Sequence, residues 1–416
     1  MKFLSLVLVI VLQALAIPVA RAGSDVAIHA VADAFFFDRA SELRVSGLPP
    51  GSEAVLTVTA TDGAGQSWWS QNVYRAGPDG IVDPATDAPV RGTYEGVQAS
   101  GPFWSMVGGD RFHTSQDADV QIRLSDATGH VLAERGVRWL SPRAASGIST
   151  EALPVSGLAA TLYLPDDGTR PLPVVVVLGG SGGGSNGERA ALLASRGYAA
   201  LDIAYFGAEG TPAYFVETLP LERFFPAFDR LESHPRVDAS RIAVMGRSYG
   251  AQLALLLAAH DDRIRAVVAE APSSVVTATP ATYPYGPSAS AWSIGNQALA
   301  FRSGDGDEPG EAAIPVERID GPLLLLSGDD DRIWPSGEMS RAIVRRLGRL
   351  DFPNDVRHLS FPDAGHNFGG GEQSYGVANL PPKERRGRSG GTDAGNSRAG
   401  IDAWEATLEF LQDTLR

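Results

Sequence analysis

The chain has 416 residues, 44% of them apolar and 20% charged, which is a globular composition long enough for two or three domains and unlike that of a disordered chain. It contains no cysteine, so disulfides, thiolate metal sites and a cysteine nucleophile are excluded, and covalent catalysis would need Ser, Thr, Lys or a carboxylate. A formal charge of −14, from 35 basic and 49 acidic residues, repels phosphate polyanions and argues against nucleic acid as a partner.

Lys2, the apolar run from Phe3 to Ile17 broken only by Ser5 and Gln13, and Ala20-Arg21-Ala22 form the pattern of a secretory leader over residues 1–22, cut before Gly23. Its apolar stretch falls short of the roughly 20 residues that a spanning helix needs. The expectation is export to the periplasm or the medium, with no stable membrane span afterwards. Residues 23–143 show short alternating stretches punctuated by turn chemistry, such as Leu43-Arg44-Val45 before Pro49-Pro50-Gly51 and Val55 to Thr59 before Asp62-Gly63. Gln121 to Leu124 and Val131 to Trp139 flank Asp126-Ala127-Thr128-Gly129 as a hairpin would. This segment is read as an all-β, immunoglobulin-like sandwich.

Residues 144–416 change rhythm. Val174 to Leu178 is a continuous apolar run into glycines, the mark of a strand buried on both faces of a parallel sheet. Similar runs at Ala199 to Ala204, Ile242 to Met245, Ala266 to Ala269 and Leu323 to Leu326 alternate with helical stretches at Arg189 to Arg196, Ala251 to Ala259 and Ser340 to Leu347. The fold class is α/β, with a mostly parallel sheet covered on both faces by helices as in an α/β-hydrolase. Ser389 to Ser397 is expected to be a loop, and Ile401 to Leu415 a closing helix. The segment 273–315, rich in small residues and aromatics, is expected to form a lid in which Tyr283, Tyr285, Trp292 and Phe301 line an acyl pocket; packing of these aromatics onto their own domain is the alternative.

The pattern G-x-S-x-G occurs around Ser181, Ser185, Ser248 and Ser389, as a chain with 47 glycines readily allows. The chemistry requires a buried strand that delivers the serine to a tight turn, followed at once by a helix whose first amides face a developing oxyanion. Ser248 alone has this context, between Ile242 to Met245 and the helix former Ala251 to Leu257. The acid and base should follow at the ends of later strands. Leu323 to Leu326 runs into Ser327-Gly328-Asp329-Asp330-Asp331, where G-x-x-D spacing favours Asp331 and leaves Asp330 as the alternative. Val356 to Phe361 runs into Pro362-Asp363-Ala364-Gly365-His366, which makes His366 the base. The glycine loop after Val174 to Leu178 should supply one oxyanion amide, from Ser181 or Gly182, and Tyr249 the other. The loop lacks the G-K-[ST] ending of a phosphate cradle, and no residue cluster has metal-ligand spacing, so neither metal nor cofactor is expected.

These residues carry a resemblance to the acyl-CoA thioesterase and bile acid-CoA:amino acid N-acyltransferase family, in an exported, bacterial-type form. The similar pieces are Gly182-Gly183-Gly184, Leu221-Glu222 with His234-Pro235 and Val237, Gly246 to Gly250, Asp330-Asp331 with Trp334 and Ser336, Gly365-His366, Gly390-Gly391 and Asp402-Ala403-Trp404. In the β half, Tyr94-Glu95-Gly96-Val97 before Trp104 is similar too. The resemblance implies a β-sandwich joined to an α/β-hydrolase domain, with Ser248 as nucleophile, Asp331 as acid, His366 as base and a small-molecule acyl thioester as substrate. It also implies hydrolysis over amino-acid transfer, because the transferase branch uses a cysteine. The leader and the negative charge keep an exported carboxylic-ester hydrolase with the same triad as the alternative; a noncatalytic surface binding protein is a third reading.

Overall fold

A computed structural model describes residues 26–416 except 31, 37, 39–42, 110–111, 115, 142–146, 167, 214–216, 281–288, 303–309 and 369–387. The leader read at residues 1–22 lies outside the described residues, as do Tyr283 and Tyr285.

The N-terminal part is all-β. Six strands form one sheet, whose centre is Glu53–Thr61 paired antiparallel with Ser67–Arg75 on one side and Ala118–Asp126 on the other. The expected hairpin is present: Ala118–Asp126 pairs with Val131–Leu140, and Gly129 takes a left-handed φ of 89° in the turn. Side chains along Glu53–Thr61 alternate between buried and partly exposed, the period-two pattern of a sheet with one face on a core. That core is shared with a two-stranded sheet of Ala27–Ala30 and Leu43–Ser46, so the sandwich is lopsided, and Trp68, Phe103, Phe112 and Trp139 fill it with tilted and edge-on ring contacts at 5.5–5.7 Å.

The chain passes from this sheet to a larger one between Leu140 and Ile148. The larger sheet has eight strands: β1 (Ile148–Val155), β2 (Leu158–Pro165), β3 (Leu172–Leu178), β4 (Ala199–Ala204), β5 (Val237–Arg247), β6 (Ile264–Glu270), β7 (Leu323–Gly328) and β8 (Val356–Phe361). Their spatial order is β8-β7-β6-β5-β3-β4-β2-β1. The six strands β3 to β8 run parallel, whereas β1 and β2 form an antiparallel hairpin added at the β4 edge. Every residue of β3, β4 and β7 is buried, which explains why these strands read as unbroken apolar runs and not as alternation. The hairpin lies outside the expected elements: β1 is largely exposed and polar and gives a weak signal, whereas β2 is an apolar run with no helical stretch between it and β3.

Helices α1 (Gly187–Ala194), α2 (Phe225–Glu232), α3 (Tyr249–Ala258), α4 (Ser336–Arg349) and α5 (Asp393–Leu415) complete the layers. The sheet's two faces pack into separate apolar clusters, one with α2, α3 and α4 and the other with α1 and α5. The expected loop at Ser389 to Ser397 is corrected in its second half. There α5 begins at Asp393, because the Thr392 hydroxyl accepts from the Gly395 amide at 2.9 Å and caps the helix despite its glycines. Among the described residues no helix is long and apolar enough to cross a membrane.

Candidate active site

Because β3 to β8 run parallel, their carboxyl ends share one edge of the sheet, and six loops leave from that edge. Ser248 follows β5 at φ 58° and ψ −121°, a backbone region that side-chain-bearing residues rarely adopt. The flanking glycines make this turn possible. A Cβ on Gly246 would lie 2.2 Å from the Gly250 carbonyl oxygen, and one on Gly250 would lie 2.5 Å from that of Gly179 and 2.6 Å from that of Leu178. The helix can therefore start hard against the end of β3 only if residue 250 lacks a side chain. The Ser248 amide donates to the Glu270 carbonyl at 2.9 Å, which ties the turn to the end of β6.

The three residues expected to act together are brought together. His366 Nε2 lies 2.8 Å from Ser248 Oγ, and His366 Nδ1 lies 2.8 Å from Asp331 Oδ2. Ser248 and His366 are 6% and 5% exposed, and the Asp331 side chain is fully buried. Asp331 Oδ1 also accepts from the amides of Ile333 at 2.9 Å and Trp334 at 3.2 Å, so the carboxylate is aimed by its own loop. The neighbouring aspartates are turned elsewhere. Asp330 pairs with Arg332 and accepts from the Gly391 amide, and these two contacts hold its carboxyl below the usual range. Asp329 accepts from Ser360 at 2.7 Å and from Arg341. Asp331, and not Asp330, faces the histidine.

His366 is held from several sides. Its amide donates to the Ser389 carbonyl at 2.7 Å, its ring meets the edge of Trp334 at 5.0 Å and 88°, and the preceding Gly365 donates to Asn396 Oδ1 at 2.8 Å. A Cβ on Gly365 would lie 2.2 Å from the Gly390 carbonyl oxygen, so the late glycine pair closes directly over the histidine loop.

The loop after β3 approaches the serine through Gly180, where an added Cβ would meet Arg247 O at 3.1 Å and Ser248 Cβ at 3.4 Å, whereas Gly182 has no such neighbour within 4 Å. The amides of Gly183 and Gly184 are spent on the carbonyls of Gly180 and Phe206. Tyr205 donates to the Gly179 carbonyl at 2.6 Å, and Asp202 accepts from Ser185 Oγ and from the Asn186 amide, which fixes both ends of the loop. Ser185 is thereby accounted for as a loop anchor.

Thr277 and Ala278, early in the segment 273–315, pack against the start of α3. Tyr249 donates its hydroxyl to the Ala278 carbonyl at 2.6 Å, and the buried Gln252 exchanges hydrogen bonds with Thr277. Trp292 is corrected as a pocket residue: it is fully buried in the main core beside Tyr205 and presents no surface to a ligand. Phe301 is half-buried and packs against the same core.

Sequence reasoning gave no role to Glu270, Arg189, Asp202 or Trp334. An acid at the carboxyl end of a buried strand, the signal used for Asp331, was present in Ala266 to Glu270 as well.

Comparison with known proteins places this architecture among named relatives. The model of the C-terminal region of acyl-CoA thioester hydrolases and BAAT matches residues 219–416, and that of their N-terminal region matches residues 38–143. Acyl-coenzyme A thioesterase 6 of Mus musculus is 29% identical over 404 residues, covering 91% of this chain and 94% of its own. Acyl-coenzyme A thioesterase 1 of Rattus norvegicus is 27% identical over 408 residues with the same shares. Acyl-coenzyme A amino acid N-acyltransferase 1 of Mus musculus is 28% identical over 351 residues, covering 79% of this chain and 83% of its own.

Proposed function

The chain belongs to the family of acyl-CoA thioester hydrolases and BAAT, and from that premise we propose that it is a serine hydrolase that cleaves acyl thioesters through a covalent acyl-enzyme. The observation that carries this reading is the buried relay Ser248–His366–Asp331, with both links at 2.8 Å and the serine on a positive-φ turn at the head of α3.

Ser248 Oγ attacks the acyl carbonyl carbon while His366 Nε2 takes its proton, and Asp331 steadies the imidazolium through Nδ1. The charge gathered on the carbonyl oxygen faces the Tyr249 amide at the start of α3 and the amide of Ser181 or Gly182, in the loop that Gly180 brings beside the elbow. Collapse of the tetrahedral adduct expels the thiolate, which receives the proton from His366 and leaves as the thiol. Water, deprotonated by the same histidine, then attacks the acyl-enzyme, and Ser248 and the free acid are released. Hydrolysis is favoured over transfer to an amino acid because the nucleophile position holds Ser248 in a chain without cysteine.

The decisive comparison sets acyl-CoA against an oxyester of the same acyl chain, using the purified protein and Ser248→Ala. Thioester cleavage lost in the variant supports the proposal. Strong preference for the oxyester turns the assignment to a carboxylic-ester hydrolase, the reading favoured by the leader pattern at residues 1–22 and the charge of −14. Failure of Ser248 to react with a serine-directed phosphonate would leave the noncatalytic reading. Export follows from the same leader pattern as a second proposal; the N-terminal sequence of protein recovered outside the cytoplasm should begin at Gly23.

A further inference from the structure

The end of β6 touches all three parts of the candidate active site. The Glu270 carbonyl accepts from the Ser248 amide at 2.9 Å. The Glu270 side chain, 1% exposed, accepts from Arg189 at 2.9 Å, and Arg189 is the third residue of α1, the helix that begins directly after the glycine loop. The next residue, Ala271, turns at φ 44°, and its carbonyl accepts from Trp334 Nε1 at 3.1 Å, while the Trp334 ring meets His366 edge-on. Burial pushes the Glu270 carboxyl above its usual range, against the pull of Arg189 and of Arg247 on the neighbouring strand, so the Arg189 pair holds a carboxyl whose desolvation it only partly offsets. An apolar side chain would fill this place at less cost to folding, so the ion pair calls for an explanation beyond packing.

We propose that Glu270 is a positioning residue that sets the spacing between the serine elbow and the glycine loop, its main chain holding the first and its Arg189 pair the second. The amides expected to hold the oxyanion, that of Tyr249 and that of Ser181 or Gly182, belong to these two pieces of chain, which no covalent bond joins nearby. A displacement of a few tenths of an ångström between them weakens the donors only where charge has developed, in the transition state, and leaves ground-state binding alone. Arg189 also lies over the Trp404 ring at 5.9 Å, which restricts the guanidinium and orients its planar fork toward Glu270.

The inference rests on Ser248 acting as nucleophile, and its test keeps the two apart. The full chain is compared with Glu270→Gln, Arg189→Met, Arg189→Lys and the double variant Glu270→Gln/Arg189→Met. Each is assayed for kcat and KM on an acyl ester, for inhibition by a trifluoromethyl ketone of the same acyl chain, whose serine adduct carries the oxyanion, and for inhibition by the free carboxylic acid. Glu270→Gln and Arg189→Met should lower kcat about 10- to 100-fold with KM within about twofold, and should weaken the ketone by the same factor as kcat/KM while the acid binds as before. The double variant should be no worse than the poorer single one, and Arg189→Lys should recover part of the loss. Should Glu270→Gln fail to fold, the Arg189 pair of variants carries the test. A folded variant with kcat within twofold of the parent overturns the proposal, and so does a ketone affinity that stays constant while kcat falls. A parent protein that neither cleaves the ester nor binds the ketone refutes the hydrolase reading itself and removes the premise.

Discussion

Replacing Asp331 by Asn tests the relay with the least structural disturbance. The carboxylate is fully buried and has three donors: His366 Nδ1 at 2.8 Å, the Ile333 amide at 2.9 Å and the Trp334 amide at 3.2 Å. An asparagine Oδ1 can still accept from both amides, so the loop should persist, and since the contact to His366 is reversed and not lost, the change in stability should stay within about 1 kcal/mol. Its NH2 group, however, meets His366 Nδ1, which must then accept. The ring proton is driven to Nε2, which now donates to Ser248 instead of taking its proton. An equivalent exchange in a serine-protease relay costs about 10⁴ in kcat, so a fall of about 10³–10⁴ in kcat/KM is expected here, or about 4–5.5 kcal/mol of barrier at 1.36 kcal/mol per decade. Steady-state hydrolysis of a thioester, with Asp330→Asn alongside, provides the measurement. Among the described residues Asp330's side chain bonds the exposed Arg332 and the Gly391 amide and nothing of the relay, so its variant should keep activity within about threefold. Asp331→Asn within tenfold of the parent, or collapse of Asp330→Asn instead, would refute the assignment.

Gly250→Ala should destabilise by at least about 1–3 kcal/mol, since its methyl would sit 2.5 Å from one backbone oxygen and 2.6 Å from another; an unchanged urea midpoint would contradict the packing argument. Trp292→Ala should cost about 3–5 kcal/mol as a core deletion, and Trp292→Phe, which keeps most of the burial, should leave acyl-chain preference as in the parent; a shifted chain-length profile for the Phe variant would restore Trp292 as a pocket residue. Burial and Arg341 lower the pKa of His358 below 6.5, against the pull of Asp329. The unfolded chain therefore takes up this proton first, and stability is lost as pH falls through 6.5 toward the lowered folded value. His358→Gln, which can keep the bond to Ser327, should lose less Tm between pH 7.5 and 5.5 than the parent, and an equal loss would remove His358 as the cause. His260, lowered mainly by burial, should leave part of that slope in place.

Much of the site could be read from sequence because its signals are local. A buried strand, a glycine-flanked serine and a strong helix lie within one continuous stretch, so Ile242 to Leu257 alone specifies the elbow. Strand ends followed by Asp331 and by Gly365-His366 are equally local, and a parallel sheet carries all of its carboxyl ends to one edge. What tertiary structure alone decided is which members of ambiguous sets are used. Three consecutive aspartates share one strand end, and only the path of the loop, with Ile333 and Trp334 donating inward, turns Asp331 to the histidine while Arg332 and Arg341 draw Asp330 and Asp329 away. Trp292 reads as a lid aromatic, but burial depends on what folds over it, and Tyr205, 87 residues earlier in the chain, packs beside it. Glu270 and Arg189 are 81 residues apart, and nothing in either local stretch foretells the partner. Periodicity and turn chemistry act over a few residues and so leave their trace in the sequence, whereas pairing of a buried charge is set by the three-dimensional path that brings its partner near.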